Sequence, residues 1–294
     1  MGGRVGYVNS QGKILINPQF DQGRPFSGGL AAVRLERRWG FINREGRLVV
    51  IPQFESAGDF SAGLAWVELE DLYGFVDPQG RLAIVPQFKG AGDFRDGLAP
   101  VRVGDLWGFV DAKGTLAINP QFEDAQPFSQ GLAAVKVGSA WGYVDKTGKL
   151  VIIPQFETAR AFAAGLAPVE TASDRFGFIN RRGEFVIPPQ FDDAYPFAEG
   201  LARVRLGSLW GYINTKGTYA INPQFESAGD FSEGFAPVEA SNDRWGFVNA
   251  QGVLAIAPQF EQAENFRGGL ARVEVDDRWG YVDTSGRLVI NPTK

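Results

Sequence analysis

The sequence predicts an all-β protein, a tandem array of about nine stacked copies of one short antiparallel β-hairpin unit with three strands per copy. Three observations predict this. An aromatic-Gly dipeptide recurs along the chain as Trp39-Gly40, Tyr73-Gly74, Trp107-Gly108, Trp141-Gly142, Phe176-Gly177, Trp210-Gly211, Trp245-Gly246 and Trp279-Gly280, with Val5-Gly6 opening the series. Successive glycines lie 34 residues apart, with two steps of 35, and a fixed period of this length marks a repeat protein. The composition, 38 Gly, 17 Pro and 24 Phe in 294 residues, suits many short strands joined by tight turns.

Within one copy, Leu30 to Leu35 reads as a first strand, Trp39 to Asn43 as a second and Arg47 to Ile51 as a third. Between the second and third stands Asn or Asp, two residues, then Gly, as in Asn43-Arg44-Glu45-Gly46 and Asp283-Thr284-Ser285-Gly286. Asn or Asp opens a type I turn by bonding the backbone ahead, and Gly takes the left-handed position that closes a bulged hairpin. The two extra residues of the longer copies fall in the hairpin joining strands one and two, at 170–175 and 239–244, which places that tip at the surface. Between copies runs Pro-Gln-Phe, a small residue, a second Phe and Gly-Leu-Ala, as in Pro52-Gln53-Phe54, Ala57, Phe60 and Gly63-Leu64-Ala65. These steps of three suggest a single helical or 3₁₀ turn with its aromatics inward.

Strands two and three are apolar on both faces, so each small sheet is expected to be covered on both sides by its neighbours. In strand one, position 32 becomes Trp66, Pro100, Ala134, Pro168, Arg203, Pro237 and Arg272 in later copies. Proline there means that this amide does not serve the ladder, which suggests an edge strand whose variable position faces solvent. Nine second-third hairpins accompany eight first strands, because the first copy lacks its own. A ring would leave one hairpin over, so an open superhelical solenoid is favoured, with a closed β-propeller of eight or nine blades as the alternative. No linker interrupts the array, which reads as one domain over residues 1–294.

The composition excludes several chemistries. Cys and His are both absent, which removes thiolate and imidazole catalysis, disulfides and ordinary zinc sites. A formal net charge of −5 gives no general attraction for nucleic acid or anionic lipid, and neither is expected as a partner. The basic stretch Arg34, Arg37, Arg38, Arg44 and Arg47 contains Glu36 and Glu45 and reads as solvated surface. The given chain shows neither a signal peptide nor an 18-residue apolar run, and its compartment is open.

Residues that recur in every copy are expected to build the repeat. Gln19, Gln53, Gln87, Gln121, Gln155, Gln190, Gln224 and Gln259 suggest a buried amide tying the connector together. The position after Pro-Gln-Phe is acidic in seven of eight copies, from Asp21 and Glu55 to Glu261, with Lys89 the exception, and suits the start of a helical turn. Paired carboxylates such as Asp192-Asp193 sit at one equivalent position with nothing to separate an acid from a base, and no Walker or dinucleotide glycine pattern is present. The chain is therefore expected not to be an enzyme and to need no cofactor or metal.

The Trp-Gly-Phe/Tyr-Ile/Val-Asn/Asp hairpin, the Gly-x-Leu-Val-Ile-x-Pro-Gln-Phe segment and the Gly-Leu-Ala-x-Val segment together resemble the WG repeat family, also called KWG, of bacterial tandem-repeat proteins. The resemblance runs over essentially the whole chain, with Tyr73, Phe176 and Val5 in place of Trp and Phe235 in place of Leu. It implies an interaction module and brings no catalytic motif.

The expected function is a non-catalytic repeat scaffold that binds a protein partner through variable exposed positions: Trp66, Arg203 and Arg272 in strand one, and the connector residue Tyr195. A carbohydrate-binding, lectin-like module using Trp66 and Tyr195 is an alternative, and an engineered scaffold without a natural ligand is another. Exposed edge strands also permit dimerisation.

Overall fold

The computed structural model describes residues 3–240 and 243–293; Ser241 and Asn242, in the second lengthened hairpin tip, and the terminal Met1, Gly2 and Lys294 lie outside them. All regular structure in these residues is β. The chain opens with a two-stranded sheet, β1 (Val5–Val8) and β2 (Ile14–Phe20). Next comes a four-stranded antiparallel sheet of β3 (Gln22–Gly23), β4 (Leu30–Leu35), β5 (Arg38–Asn43) and β6 (Leu48–Phe54), joined in that order. Seven more sheets repeat it, for eight in all. The expected three-stranded unit thus gains a fourth, two-residue strand.

The turn between strands two and three forms as expected. The Asn43 side chain accepts the amides of Glu45 and Arg47, and Gly46 closes the loop at φ 78°. Asn and Asp serve alike: Asp145 accepts from Thr147 and Lys149 in the same way.

The connector differs from expectation. Pro52-Gln53-Phe54 is the end of β6, not a helical turn. The loop before strand one is a two-residue hairpin turn in which Ser61 and Leu64 exchange both backbone hydrogen bonds, with φ positive at Ala62 and Gly63 (51° and 83°). Such a mirror-image turn matches strand twist, and its second residue is the Gly of Gly-Leu-Ala, or of Gly-Phe-Ala at Gly234. The recurrent glutamines are correspondingly not buried. They lie exposed on the third strand, where Gln87 and Gln121 donate to the carbonyls two residues back, of Val85 and Asn119.

Strand one is not an edge. It pairs with the short strand on one side and strand two on the other, as Val33 does with Gly23 and Gly40. The carbonyl of Ala32 accepts from Arg24, so residue 32 turns its backbone groups toward the short strand, which ends just there. Proline is tolerated at Pro100, Pro168 and Pro237 because the neighbouring strand has run out, and the side chain points inward. Ala32, Pro100 and Ala134 are buried, while Trp66, Arg203 and Arg272 are half-buried.

The free edge is strand three, whose outer face is uncovered: Ile51 is 66% and Ile153 67% exposed. The glycine of the aromatic-Gly pair is dictated by this strand. A Cβ on Gly40 would stand 2.4 Å from the Val50 carbonyl oxygen and 2.8 Å from the Pro52 nitrogen, where the third strand bulges across the second. Seven further glycines, from Gly6 to Gly246, meet the equivalent Ile oxygen and Pro nitrogen. Space, not a left-handed backbone, requires glycine here.

The chain forms two compact units, residues 1–7 with 14–155, and 8–13 with 156–294. In the first, each core lies between successive sheets: Phe41, Val50 and Phe54 of one pack on Ala57, Phe60 and Val67 of the next. The strand-two ring meets the connector Phe of the following copy at 4.9 Å for Phe41–Phe60 and 4.8 Å for Phe75–Phe94. The second unit repeats the device with Phe178–Phe197 at 5.1 Å and Tyr212–Phe231 at 4.8 Å. Each such pair contributes roughly 0.5–1.5 kcal/mol beyond its area.

Within this second unit the turn 8–13 of the first hairpin lies against the last sheet. A Cβ on Gly12 would stand 2.4 Å from Val289, just as one on Gly80 would meet Val50 and one on Gly252 would meet Ile221. The first and last copies are therefore in contact. An open array keeps them apart, so the expectation of an open superhelical solenoid is corrected: the hairpin counted as left over seats its turn on the final sheet.

Candidate functional site

The positions that differ most between copies meet at one place in each sheet, where the residue after the short strand (24 in the first full copy), the residue following it (25) and strand-one position 32 come together. Volume is exchanged between positions 24 and 32 in five copies, while Arg160 with Pro168, Tyr195 with Arg203 and Glu264 with Arg272 keep two large residues. Where the first is Gly58, Gly92 or Gly229, the second is Trp66, Pro100 or Pro237; where the first is Arg24 or Gln126, the second is Ala32 or Ala134. A Cβ on Gly58 would run into the Trp66 indole at 2.2 Å, and one on Gly92 would lie 2.8 Å from Pro100.

In the first unit Trp66 is packed and not a free ring. Its Nε1 donates to Asp93 Oδ1 of the next copy at 3.1 Å, and Tyr73 lies 5.8 Å away. The Arg24 guanidinium stands 5.5 Å from Trp39 and 6.0 Å from Trp66, with Asp59 at 4.0 Å. The expectation that Trp66 is exposed is thereby corrected: it is half-buried, and its counterparts Ala32 and Pro100 in the adjoining copies are buried.

The second unit brings together Tyr195 and Arg203. The Tyr195 ring lies between the guanidinia of Arg160, at 3.9 Å, and Arg203, at 3.5 Å. The stack continues from Arg160 to Phe176 at 5.1 Å and from Arg203 to Trp210 at 5.5 Å. Both cations are paired with the following copy: Arg160 with Asp193 at 3.0 Å, and Arg203 with Asp230 at 2.7 Å and the Ala228 carbonyl at 2.7 Å. The sequence reading did not single out Arg160 or Asp230 and weighed Asp193 only as half of a carboxylate pair; the departing signal was a copy, Tyr195 with Arg203, that is large at both positions 24 and 32. Arg272 stands apart, stacked at 3.9 Å on Trp279 and paired with Glu264 at 3.2 Å.

The acidic residue after Pro-Gln-Phe caps the opposite end of the sheet and begins no helix. Glu55 accepts from Arg38 and from the Asp71 amide at the hairpin tip, and Asp192 accepts from the Gly207 amide and from Arg175. The Arg38 side chain, then the Asp71 amide, hold the Glu55 carboxyl below its ordinary range; the Asp277 amide and Arg244 do the same for Glu261, against a smaller opposing desolvation. Glu55, Glu68 and Asp71 form a close acidic group among the described residues, with oxygens within 4.8 Å of one another, but Glu55 is already engaged as this cap. The basic stretch at 34–47 is divided by β5, with Arg37 and Arg38 at one end of the strand and Arg44 and Arg47 at the other.

Burial pushes Tyr212 well above the ordinary phenol range and raises Tyr281, and the Tyr212 hydroxyl donates to the Gly229 carbonyl at 2.7 Å. No helix among the described residues is long and apolar enough to cross a membrane.

Solved structures with a similar fold include a eukaryotic initiation factor (TM-score 0.66, 13% identity, covering 96% of this chain and 92% of that one). The computationally designed Ika8 protein is similar at TM-score 0.55 and 9% identity over 90% of this chain and 93% of that one. So is the dihydro-heme d1 dehydrogenase NirN, at TM-score 0.52 and 12% identity over 86% and 70%. At these identities the likeness concerns the fold alone. No curated protein matches the sequence. The family described as "WG containing repeat" matches nine times, at residues 6–37, 39–73, 73–107, 107–139, 141–172, 176–210, 210–242, 245–279 and 279–293. With the aromatic-Gly hairpin explained by the third strand that crosses it and the match running the length of the chain, this protein belongs to the WG-repeat family.

Proposed function

We propose that the chain is a non-catalytic scaffold that presents a protein-binding surface on eight propeller-type blades. The four-stranded antiparallel sheet is the blade of β-propellers, and the contact of Gly12 with Val289 supports a closed arrangement over an open one.

One observation carries the functional reading: the recurring polar residues are committed to the framework, and what varies is side-chain identity on an otherwise constant support. Asn43 and its equivalents hold turns, Glu55 and its equivalents hold hairpin tips, and the exposed glutamines bond their own strand. Such an arrangement fits recognition, where a rigid array holds still and individual copies differ. A lectin reading is weaker than it was in the sequence. Sugar stacking needs an open aromatic face, whereas both faces of Tyr195 carry a guanidinium and Trp66 lies over Gly58.

The test is selection from a random peptide display library against the full chain, with a glycan array in parallel. Enriched peptides that bind in solution support the scaffold. An empty selection beside a glycan signal lost in Trp66→Ala would replace it with the lectin.

A further inference from the structure

We propose that the turn end of the sheets, where strand two passes to strand three, is a docking surface for an acidic protein segment that carries large apolar side chains. The inference rests on the scaffold reading and deepens it by naming the partner's chemistry. The net charge of −5 conceals a group of outward cations at the turns and, in the second full sheet, a separation of charge from one end to the other.

In the first unit the four turns 43–47, 77–81, 111–115 and 145–149 expose Arg44, Arg47, Arg81, Lys113, Lys146 and Lys149 against the single outward acid Glu45. The Asp77, Asp111 and Asp145 carboxylates of the same turns accept backbone amides, and Asp77 also pairs with Arg81 at 2.7 Å, which leaves Arg44, Arg47, Lys113, Lys146 and Lys149 as the outward cations of the surface. At the opposite end of the second full sheet stand Glu55, Glu68, Glu70 and Asp71. The opposite ends of the first and third full sheets are mixed in sign, with Arg37 and Arg38 in one and Lys89 and Arg102 in the other, so it is the outward cations of the turn end that select an acidic partner.

A second, independent observation gives the apolar part. The residue that follows each turn is large and apolar, and at Leu48, Leu82, Leu116 and Leu150 it stands 45%, 42%, 40% and 39% exposed. These leucines begin the third strand, the sheet's free edge, so unpaired backbone donors and acceptors lie beside them. Each turn lies against the third strand of the preceding copy: a Cβ on Gly80 would stand 2.8 Å from Val50, and one on Gly148 would stand 3.0 Å from Ile118. A protein segment can satisfy an open strand edge with its own amides and carbonyls, whereas lipid tails cannot, and this favours protein over an anionic bilayer.

The experiment uses the full chain and three fluorescent probes: a soluble random Glu/Tyr copolymer, polyglutamate of the same length, and phosphatidylcholine/phosphatidylserine vesicles. The copolymer should bind more tightly than polyglutamate, and more weakly as salt is raised. Lys146→Glu with Lys149→Glu should weaken copolymer binding about tenfold or more, each reversed charge contributing on the order of a few-fold. Leu150→Ser should weaken it several-fold, and Lys89→Glu, a reversal at the opposite end, should leave it unchanged. Equal binding of polyglutamate overturns the apolar part. A silent copolymer, or an equal loss with Lys89→Glu, overturns the surface; so does binding confined to vesicles and lost in the double variant, which would assign the turn end to lipid. Display-selected peptides that bind regardless of Lys146 and Lys149 would sink this surface and leave the scaffold standing.

Discussion

At the residue scale, two classes of glycine have different causes and should fail differently. Gly142 has an ordinary φ but no room: a Cβ would stand 2.5 Å from the Ile152 oxygen, which is backbone and cannot step aside. Gly165 has φ 79° and nothing within 4 Å. Gly142→Ala should therefore cost about 1–3 kcal/mol or more as overpacking, and Gly165→Ala about 1–2 kcal/mol of left-handed strain. Enlarging the side chain separates the two mechanisms: Gly142→Val should unfold the copy, while Gly165→Asn should be near neutral, because Asn tolerates the left-handed region. Urea midpoints check both, and a Gly142→Val protein as stable as the wild type would dismiss the steric account. The turn carboxylates add a pH dependence. The Thr147 hydroxyl holds the Asp145 carboxyl below its ordinary range against some desolvation, and the Ser285 hydroxyl does so for Asp283. A folded-state pKa below the unfolded one gives stability that is present above about pH 4 and is lost as pH falls through the folded value. Asp145→Asn with Asp283→Asn should flatten the fall in urea midpoint between neutral and acid pH, since Asn43 and Asn180 show that the amide accepts the same bonds. An unchanged acid limb would mean that other carboxylates set it.

At the element scale, the position of strand one can be tested with proline. Residue 32 turns its amide toward the end of the short strand, whereas Val33 turns its own toward Gly40 in the ladder. Ala32→Pro should be tolerated, as Pro168 is beside Arg160. Val33→Pro should cost about 3 kcal/mol or more. Equal damage from both would contradict the assigned strand order. The same strand shows what the sequence could and could not reveal. Prolines at 100, 168 and 237 did report an amide outside the ladder, but an unused amide has two causes, an edge strand or a neighbour that stops short. Only the two-residue strand at 22–23, too brief for any periodicity, tells them apart. The turn before strand one was hidden for a related reason. Its first residue varies from Gly28 to Ala62, Asp96, Gln130 and Glu199, so no Asn-Gly signature appears, although φ is positive at each. The second-third turn was legible because one side chain, Asn or Asp, makes its bonds in every copy. At the candidate site, Tyr195 and Arg203 were legible as unusual residues, while their engagement depended on Arg160 and Asp230 from other copies. Arg203→Ala should cost roughly 1–3 kcal/mol, because it removes a half-buried ion pair, a carbonyl bond and a ring contact together. Lysine should not restore it, since a point charge cannot bond Asp230 and Ala228 while lying flat on Tyr195.

At the scale of the whole molecule, the decisive contact joins the first hairpin to the last sheet within the unit formed by 8–13 and 156–294. Counting strands in the sequence argued against it, because nine hairpins and eight first strands leave a remainder and no local signal says where that remainder goes. The structure seats its turn beside Val289 and near Gly269, whose Cβ, if present, would lie 3.7 Å from that of Ser10. That separation falls within the range spanned by disulfide Cβ atoms, roughly 3.5–4.5 Å. The protein contains no cysteine, so a single engineered pair reports without background. Ser10→Cys with Gly269→Cys should oxidise to a monomeric cross-linked form that migrates faster than its reduced form on denaturing gels. The cross-link closes nearly the whole chain into a loop and should raise the urea midpoint of the oxidised protein over the reduced, less the strain of a non-glycine residue at φ 80°. Free thiols after exposure to oxidant, or cross-linking only between molecules, would show that the ends do not meet and would return the array to an open form.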